Sequence, residues 1–158
     1  MRALILTLFV GSILTVAPAE AGTNFTLRAL DGKYLRLSDY KKKVVYLTFW
    51  ATWCKPCLAE MKHLNKFHAR YKAKGLVVLG VNLDGPETRS RVRATVARYK
   101  LKFPIAIDTQ SRAVKLYNPR RSLPFSVLIK KGKVIKKRAS FQVSDLPEIE
   151  KEIKAALK

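Results

Sequence analysis

The only two cysteines of the chain, Cys54 and Cys57, lie three positions apart within residues 49–57, whose sequence is FWATWCKPC. The preceding residues 44–50 are rich in β-branched and aromatic types, which predicts a buried strand. After the cysteines, apolar residues recur every three or four positions, which predicts one face of a helix: Leu58, Met61, Leu64, Phe67 and Tyr71. The cysteine pair is therefore expected at a strand-to-helix junction.

This position favours thiolate chemistry at Cys54. The first turn of a helix has unpaired backbone N–H groups and the positive end of the helix dipole, which together stabilise a thiolate. Lys55 adds a positive charge, and Pro56 suits the first helical turn because no N–H is needed there. We expect Cys54 to be the exposed, attacking cysteine and Cys57, further into the helix, to be more buried.

Three interpretations of the pair remain open: a redox centre, an inert disulfide and a metal site. A CxxC bridge closes too short a loop to stabilise a fold much. A structural zinc site needs about four ligands, and only His63 and His68 could be added, on one helix and too far away to chelate easily. A redox-active pair is favoured, and no metal or other cofactor is expected.

The stretch FWATWCKPC resembles the active-site signature of the TlpA/ResA-like thioredoxins, which are exported thiol–disulfide oxidoreductases. The resemblance runs from Phe25 to about Leu157. It implies a thioredoxin-like α/β fold with an N-terminal β-hairpin extension and a central helix–strand insertion. The residues agree with the extension, because residues 25–30 and 34–37 alternate apolar and polar types around Asp31-Gly32, a strong hairpin signal.

The rest of the chain predicts a single domain over residues 22–158, with a mixed sheet and helices on both faces. Asp145 and Glu148 have the spacing of a capping box, which predicts the start of a C-terminal helix. The periodicity predicts strands at 76–81, 103–107, 122–129 and 134–135, and helices after Pro86, at 111–117 and from 145 onward. The strand at 103–107 and the helix at 111–117 fill the place of the insertion.

The resemblance also implies site residues beyond the cysteines. Pro124 matches the cis proline that packs beside the CxxC and, with Leu123, lines the groove for the partner's backbone; an ordinary trans proline is the alternative. Trp53 would shield the sulfurs on one side. Glu60 matches a glutamate that tunes the cysteine pair in ResA-like proteins, while Thr48 stands where thioredoxin has a buried aspartate. The alternative for Glu60 is a solvated surface carboxylate.

The first 21 residues predict a secretory signal peptide. A basic start at Met1-Arg2 is followed by an apolar run over residues 3–17 and by Ala19-Glu20-Ala21, an A-x-A cleavage site. An uncleaved membrane anchor is the alternative, although the run is short for a full span. The protein is thus expected in the periplasm or another extracytoplasmic space.

The net charge of +21 and pI near 10.3 are extreme for 158 residues. Such a charge favours acidic partners or an anionic membrane surface, and no recognisable nucleic-acid module accompanies it. The basic residues concentrate at 89–102, at Arg120-Arg121 and at 130–138. A merely solvated, solubilising surface is the alternative.

We therefore expect a monomeric thiol–disulfide oxidoreductase that reduces disulfides of client proteins. The resemblance implies clients such as apocytochrome c and a membrane-side thiol as electron donor. An oxidant that introduces disulfides stays open, because Lys55 favours a more oxidising pair. A peroxidase is less favoured, since Ala51 stands where peroxiredoxins have a threonine and no proline lies upstream of it. A basic binding module without enzymatic activity is the remaining alternative.

Overall fold

The computed structural model describes residues 24–158, and the predicted signal peptide lies outside the described residues. Seven strands and four α-helices are formed by the described residues. The elements are β1 (Thr26–Arg28), β2 (Tyr34–Arg36), β3 (Val44–Trp50), α1 (Lys55–Tyr71), β4 (Leu76–Asn82), α2 (Arg89–Arg98), β5 (Ile105–Ile107), α3 (Arg112–Tyr117), β6 (Phe125–Lys130), β7 (Lys133–Ala139) and α4 (Leu146–Ala156).

The main sheet has five strands in the order β5-β4-β3-β6-β7, so β3 is its centre. β3, β4 and β5 are parallel, while β6 runs antiparallel to β3 and pairs with β7 in a hairpin. All seven residues of β3 are buried. The prediction of a mixed sheet is confirmed.

The two faces of β3 lie in two different hydrophobic cores. Val44, Tyr46 and Trp50 belong to the core built with α1 and α4, which contribute Met61, Leu64, Ile149 and Ile153. Val45, Leu47 and Phe49 belong to the core on the other face, with the β1–β2 hairpin and α3. This alternation follows from the two-residue period of a strand, and it places helices on both faces, as predicted.

The N-terminal hairpin forms a small sheet of its own and packs on the edge of the main one. Leu27 and Leu35 face each other across β1 and β2, and both are buried. Ala29 forms an antiparallel bridge with Ala106 of β5. The guanidinium groups of Arg89 and Arg93 on α2 donate hydrogen bonds to the carbonyls of Ala29 and Leu30. The hairpin is thus attached to both β5 and α2.

The start of α4 differs from the prediction. A 3₁₀ turn over Val143–Asp145 precedes the helix, and the capping box joins Gln142 to Asp145. The predicted box between Asp145 and Glu148 is therefore wrong, because the orphan N–H groups lie one turn earlier than a simple helix start implies. The Asp145 carboxylate accepts a hydrogen bond from the Gln142 N–H at 2.8 Å.

The first turn of α3 is capped by a residue that precedes the N-cap position. Ser111 at the N-cap has a φ of 55° and forms no side-chain cap. Instead the buried carboxylate of Asp108 accepts hydrogen bonds from the N–H groups of Arg112 (2.8 Å) and Val114 (2.9 Å). One carboxylate therefore satisfies two of the orphan donors of this helix.

We predict that Asp108→Ala lowers the free energy of unfolding by about 1–3 kcal/mol, because it leaves the buried Val114 N–H and the partly buried Arg112 N–H without an acceptor. Asp108→Asn keeps one acceptor oxygen and should lose less. Urea unfolding of the three proteins measures the difference. Equal stability of Asp108→Ala and the wild type would contradict this account of α3.

Candidate active site

Cys54 and Cys57 form a disulfide at the N-terminus of α1, with an S–S distance of 2.03 Å. Cys54 is the N-cap of the helix, and its Sγ accepts a hydrogen bond from the Cys57 N–H at 3.3 Å. Pro56 occupies the first helical turn. The prediction of a cysteine pair at a strand-to-helix junction is confirmed.

The disulfide is more enclosed than the sequence suggested. Cys54 is only 5% exposed and Cys57 is fully buried, so the expectation of an exposed Cys54 is wrong for this oxidised form. Both cysteines belong to the hydrophobic core that contains α1. Trp53 is 68% exposed and Lys55 is exposed beside it. A role of Trp53 in shielding the sulfurs stays a prediction.

The end of β4 holds the backbone in front of the cysteines. The buried Asp84 carboxylate accepts hydrogen bonds from the Thr52 N–H (3.0 and 3.3 Å) and from the Asn82 side-chain amide (2.9 Å). The Leu83 N–H donates to the carbonyl of Trp50 at 2.9 Å. This role of Asp84 was not predicted, although Asn-x-Asp at the end of a buried strand signals an Asx turn.

Pro124 lies at the same end of the sheet as the cysteines. The peptide bond between Leu123 and Pro124 is cis, as predicted, so the trans alternative is wrong. Phe125 pairs with Phe49 in the antiparallel register of β3 and β6. Pro124 therefore lies level with the end of β3, from which the chain continues to Cys54, with the half-buried Leu123 before it.

Glu60 is buried, with 1% of its surface exposed, so the alternative of a solvated carboxylate is wrong. Its Oε1 accepts a hydrogen bond from the Tyr46 hydroxyl (3.2 Å), and its Oε2 accepts one from Thr48 Oγ1 (3.1 Å). The Tyr46 hydroxyl also shares a hydrogen bond with Ser126 Oγ at 3.0 Å. Thr48, which stands where thioredoxin has its buried aspartate, thus positions a buried acid that comes from α1 instead of from β3.

Burial raises the pKa of Glu60 from its ordinary value of 4.5 to about 7, although its hydrogen bonds and the charge of Arg138 act in the opposite direction. Burial and the charge of Glu60 also raise the pKa of Tyr46. Glu60 follows Cys57 by three positions on α1, a spacing that brings Cβ atoms within about 5–6 Å. The sequence spacing therefore places the Cβ atoms of Glu60 and Cys57 on the same side of α1.

Sequence reasoning found Glu60 but missed Tyr46 and Ser126. Tyr46 and Thr48 are two positions apart on β3 and so share one face, which was a usable signal. Ser126 comes from β6, and only the strand pairing brings it to this network. Within residues 24–158, no group of three or more His, Cys, Asp or Glu side chains is arranged to hold a metal ion.

The sequence profile described as the AhpC/TSA family matches residues 18–149. The chain belongs to the AhpC/TSA family. A relative from Bacillus thuringiensis subsp. konkukian, the thiol-disulfide oxidoreductase ResA, is 46% identical to this AhpC/TSA protein over 113 residues, which are 71% of this chain and 64% of the relative. ResA from Geobacillus kaustophilus is 40% identical over 121 residues, or 77% and 68% of the two chains.

A crystal structure from Chlorobium tepidum, provisionally named thiol:disulfide interchange protein DsbE, superimposes with a TM-score of 0.79 at 36% identity. The match covers 85% of this AhpC/TSA protein and 94% of the Chlorobium chain. The predicted resemblance to ResA-like proteins and the thioredoxin-like α/β fold are thereby confirmed. The matched segment spans less than two thirds of the length of the Bacillus relative.

We predict that Glu60→Gln removes a pH dependence of stability. Below about pH 4.5 Glu60 is protonated in both the folded and unfolded states; as pH rises toward 7, the unfolded chain loses the proton first. The free energy of unfolding of the oxidised wild type should therefore fall across this window, by at most about 3 kcal/mol relative to Glu60→Gln, and stay level above it.

Urea unfolding of both oxidised proteins between pH 4 and 8 measures this difference. Glu87→Gln, at an exposed carboxylate, is the matched control and should leave the pH profile of the wild type unchanged. A constant offset between wild type and Glu60→Gln across the whole range would contradict the assigned titration.

Proposed function

We propose that this protein is a thiol–disulfide oxidoreductase that reduces disulfides of client proteins outside the cytosol. The observation that carries the proposal is the disulfide between Cys54 and Cys57 at the N-cap of α1. The names of the ResA relatives support it. The strand register, which places Leu123 and Pro124 at the same end of the sheet as the cysteines, is compatible with a client groove there.

The reaction begins from the dithiol form of the pair. The thiolate of Cys54 attacks a client disulfide, which forms a mixed disulfide and releases one client thiolate. Cys57, as a thiolate, then attacks the Cys54 sulfur and releases the second client thiolate. Two electrons pass to the client, and the enzyme is left with the disulfide seen in the structure. A membrane-side thiol donor restores the dithiol by the same exchange in reverse.

Cys57 must lose a proton in a buried place, and Glu60 is the group that receives it in this proposal. Glu60 is held by Tyr46 and Thr48 on the same side of the sheet as α1. Because burial raises its pKa to about 7, the carboxylate is basic enough to accept a thiol proton near neutrality and to return it to the departing thiolate.

The predicted leader supports an extracytoplasmic setting for the reaction. We propose that residues 1–21 direct export and that the remaining chain acts in the periplasm or another extracytoplasmic space, as a monomer, with apocytochrome c among its clients. Within residues 24–158, no helix combines the length and apolar character needed to cross a membrane. An oxidising direction is the alternative, favoured by the exposed Lys55 beside the pair.

Cysteine variants test the reaction. Cys54→Ser should abolish reduction of insulin disulfides, because the attacking sulfur is gone. Cys57→Ser should accumulate mixed disulfides with clients, because the resolving step is gone; these are visible on non-reducing gels and are released by dithiothreitol. Undiminished reductase activity of Cys54→Ser would overturn the proposal, and the equilibrium of the pair with glutathione decides between reductant and oxidant.

The role of Glu60 has a separate test in the reduced enzyme. The rate of thiol alkylation against pH should lose an inflection near neutrality in Glu60→Gln, since the carboxyl beside Cys57 no longer titrates. Glu87→Gln is again the control. Superimposable alkylation profiles of wild type and Glu60→Gln would remove Glu60 from the proton transfer while leaving the cysteine chemistry intact.

A further inference from the structure

Six lysines surround one depression of about 190 Å³ at the end of the sheet opposite the cysteines. We call this surface the lysine pole: Lys42, Lys43, Lys74, Lys130, Lys131 and Lys158. Its floor includes Val44 and Gly75, where β3 and β4 begin, and Ala156, where α4 ends. The strand directions bring these separate segments together, because β3 and β4 start here while β6 finishes here.

The charge of the lysine pole is not neutralised by the acidic side chains of the described residues. No acidic side chain lines the depression, and none of the six lysines belongs to the ion pairs formed within residues 24–158. The acidic side chains of α4 end at Glu152, four positions before Ala156, and Glu148, Glu150 and Glu152 pair with cations elsewhere.

Three of the arginines that the sequence suggested for a basic docking surface form hydrogen bonds within the chain. Arg89 and Arg93 donate to hairpin carbonyls, and Arg121 donates to Ser111 Oγ at 2.9 Å. These three side chains thus have structural partners within the chain. Two residues of the predicted basic stretch 130–138, Lys130 and Lys131, lie at the lysine pole.

We propose that the lysine pole docks on an anionic phospholipid surface. Protein interfaces are depleted in lysine and enriched in aromatic residues and arginine. The lining of this depression contains neither an arginine nor an aromatic residue. Lysine is a compact, strongly hydrated charge on a flexible stem, which suits attraction to a fluid layer of phosphates better than fixed bidentate pairing. Clustered lysines near an anionic leaflet are a recognised source of membrane affinity.

Docking by this pole would leave the redox site free. β3 starts at the lysine pole with Val44 and ends at Trp50, just before the cysteines. Seven residues of strand span about 20 Å, so the Cys54–Cys57 pair would stand roughly that far above the docked surface. Trp53, which is 68% exposed, would face away from the lipid.

Vesicle co-sedimentation of the exported protein tests the proposal. Binding to phosphatidylcholine vesicles with 30% phosphatidylglycerol is expected at low salt, with loss toward physiological salt, and little binding to pure phosphatidylcholine. The variant with Lys42, Lys43, Lys74 and Lys131 changed to Gln should bind at least about tenfold more weakly. The same positions changed to Arg should retain binding, which separates charge from folding.

A matched control changes Lys33, Lys66, Lys115 and Lys151 to Gln, all exposed and away from the lysine pole. Both sets lower the net charge by four, and the control should keep its affinity within about threefold. Insulin reduction should be unchanged in every variant, because the lysines lie far from the cysteines. On bound vesicles, brominated lipid should not quench the tryptophan emission, because Trp50 and Trp53 both lie at the end of the sheet opposite the lysine pole.

Four results would overturn the proposal. Equal losses in the two lysine-to-glutamine variants would mean that only the net charge matters. Equal binding to neutral vesicles would mean apolar insertion. Tighter binding of a soluble polyglutamate peptide than of the anionic vesicles, lost in the pole variant, would assign the surface to an acidic protein. Quenching of the tryptophan emission would mean that the end of the sheet with the cysteines, not the lysine pole, contacts the membrane.

Discussion

The backbone pairing of β3 with β4 on one side and β6 on the other is the interaction on which the redox site depends. β3 leads into the cysteines, β4 ends in the Asp84 turn that fixes the Thr52 backbone, and β6 begins after Pro124. These three segments are far apart in sequence. They meet because parallel β3 and β4 finish at the same edge where antiparallel β6 starts, so a one-residue slip of β6 would also turn Ser126 away from Tyr46.

The buried carboxylate of Glu60 is held by two polar side chains that occupy core positions of β3. Tyr46 and Thr48 occupy positions on β3 that a purely structural strand would fill with apolar side chains, and their hydroxyls point at Glu60. An ionised carboxylate at this depth is costly, and the hydrogen bonds offset only part of that cost, since its pKa stays raised. Burial therefore favours the protonated form of this carboxyl over the ionised one.

Much of this architecture could be predicted from sequence because its signals are local. The apolar run of β3, the helical spacing after Cys57 and the Asp31-Gly32 turn each specify an element without knowledge of the rest. The ResA-like signature then identified Pro124 and Glu60. The enclosure of Cys54, the cap from Asp108 and the contact of Tyr46 with Ser126 were not predicted, because each depends on how distant segments pack. The capping box was misplaced by one turn, since spacing alone does not distinguish a 3₁₀ entry from an α-helical one.

The attachment of the N-terminal hairpin to β5 has a consequence for how the protein behaves at high concentration. An open sheet offers unpaired N–H and C=O groups along its outer strands, and these can recruit strands from other molecules. Here the bridge from Ala29 to Ala106 occupies part of one border. On the other border, β7 carries Lys133 and Lys137, whose charges would repel the same lysines of a second copy laid alongside. Both borders of the sheet are therefore guarded against fibril-like stacking, one by a covering segment and the other by charge.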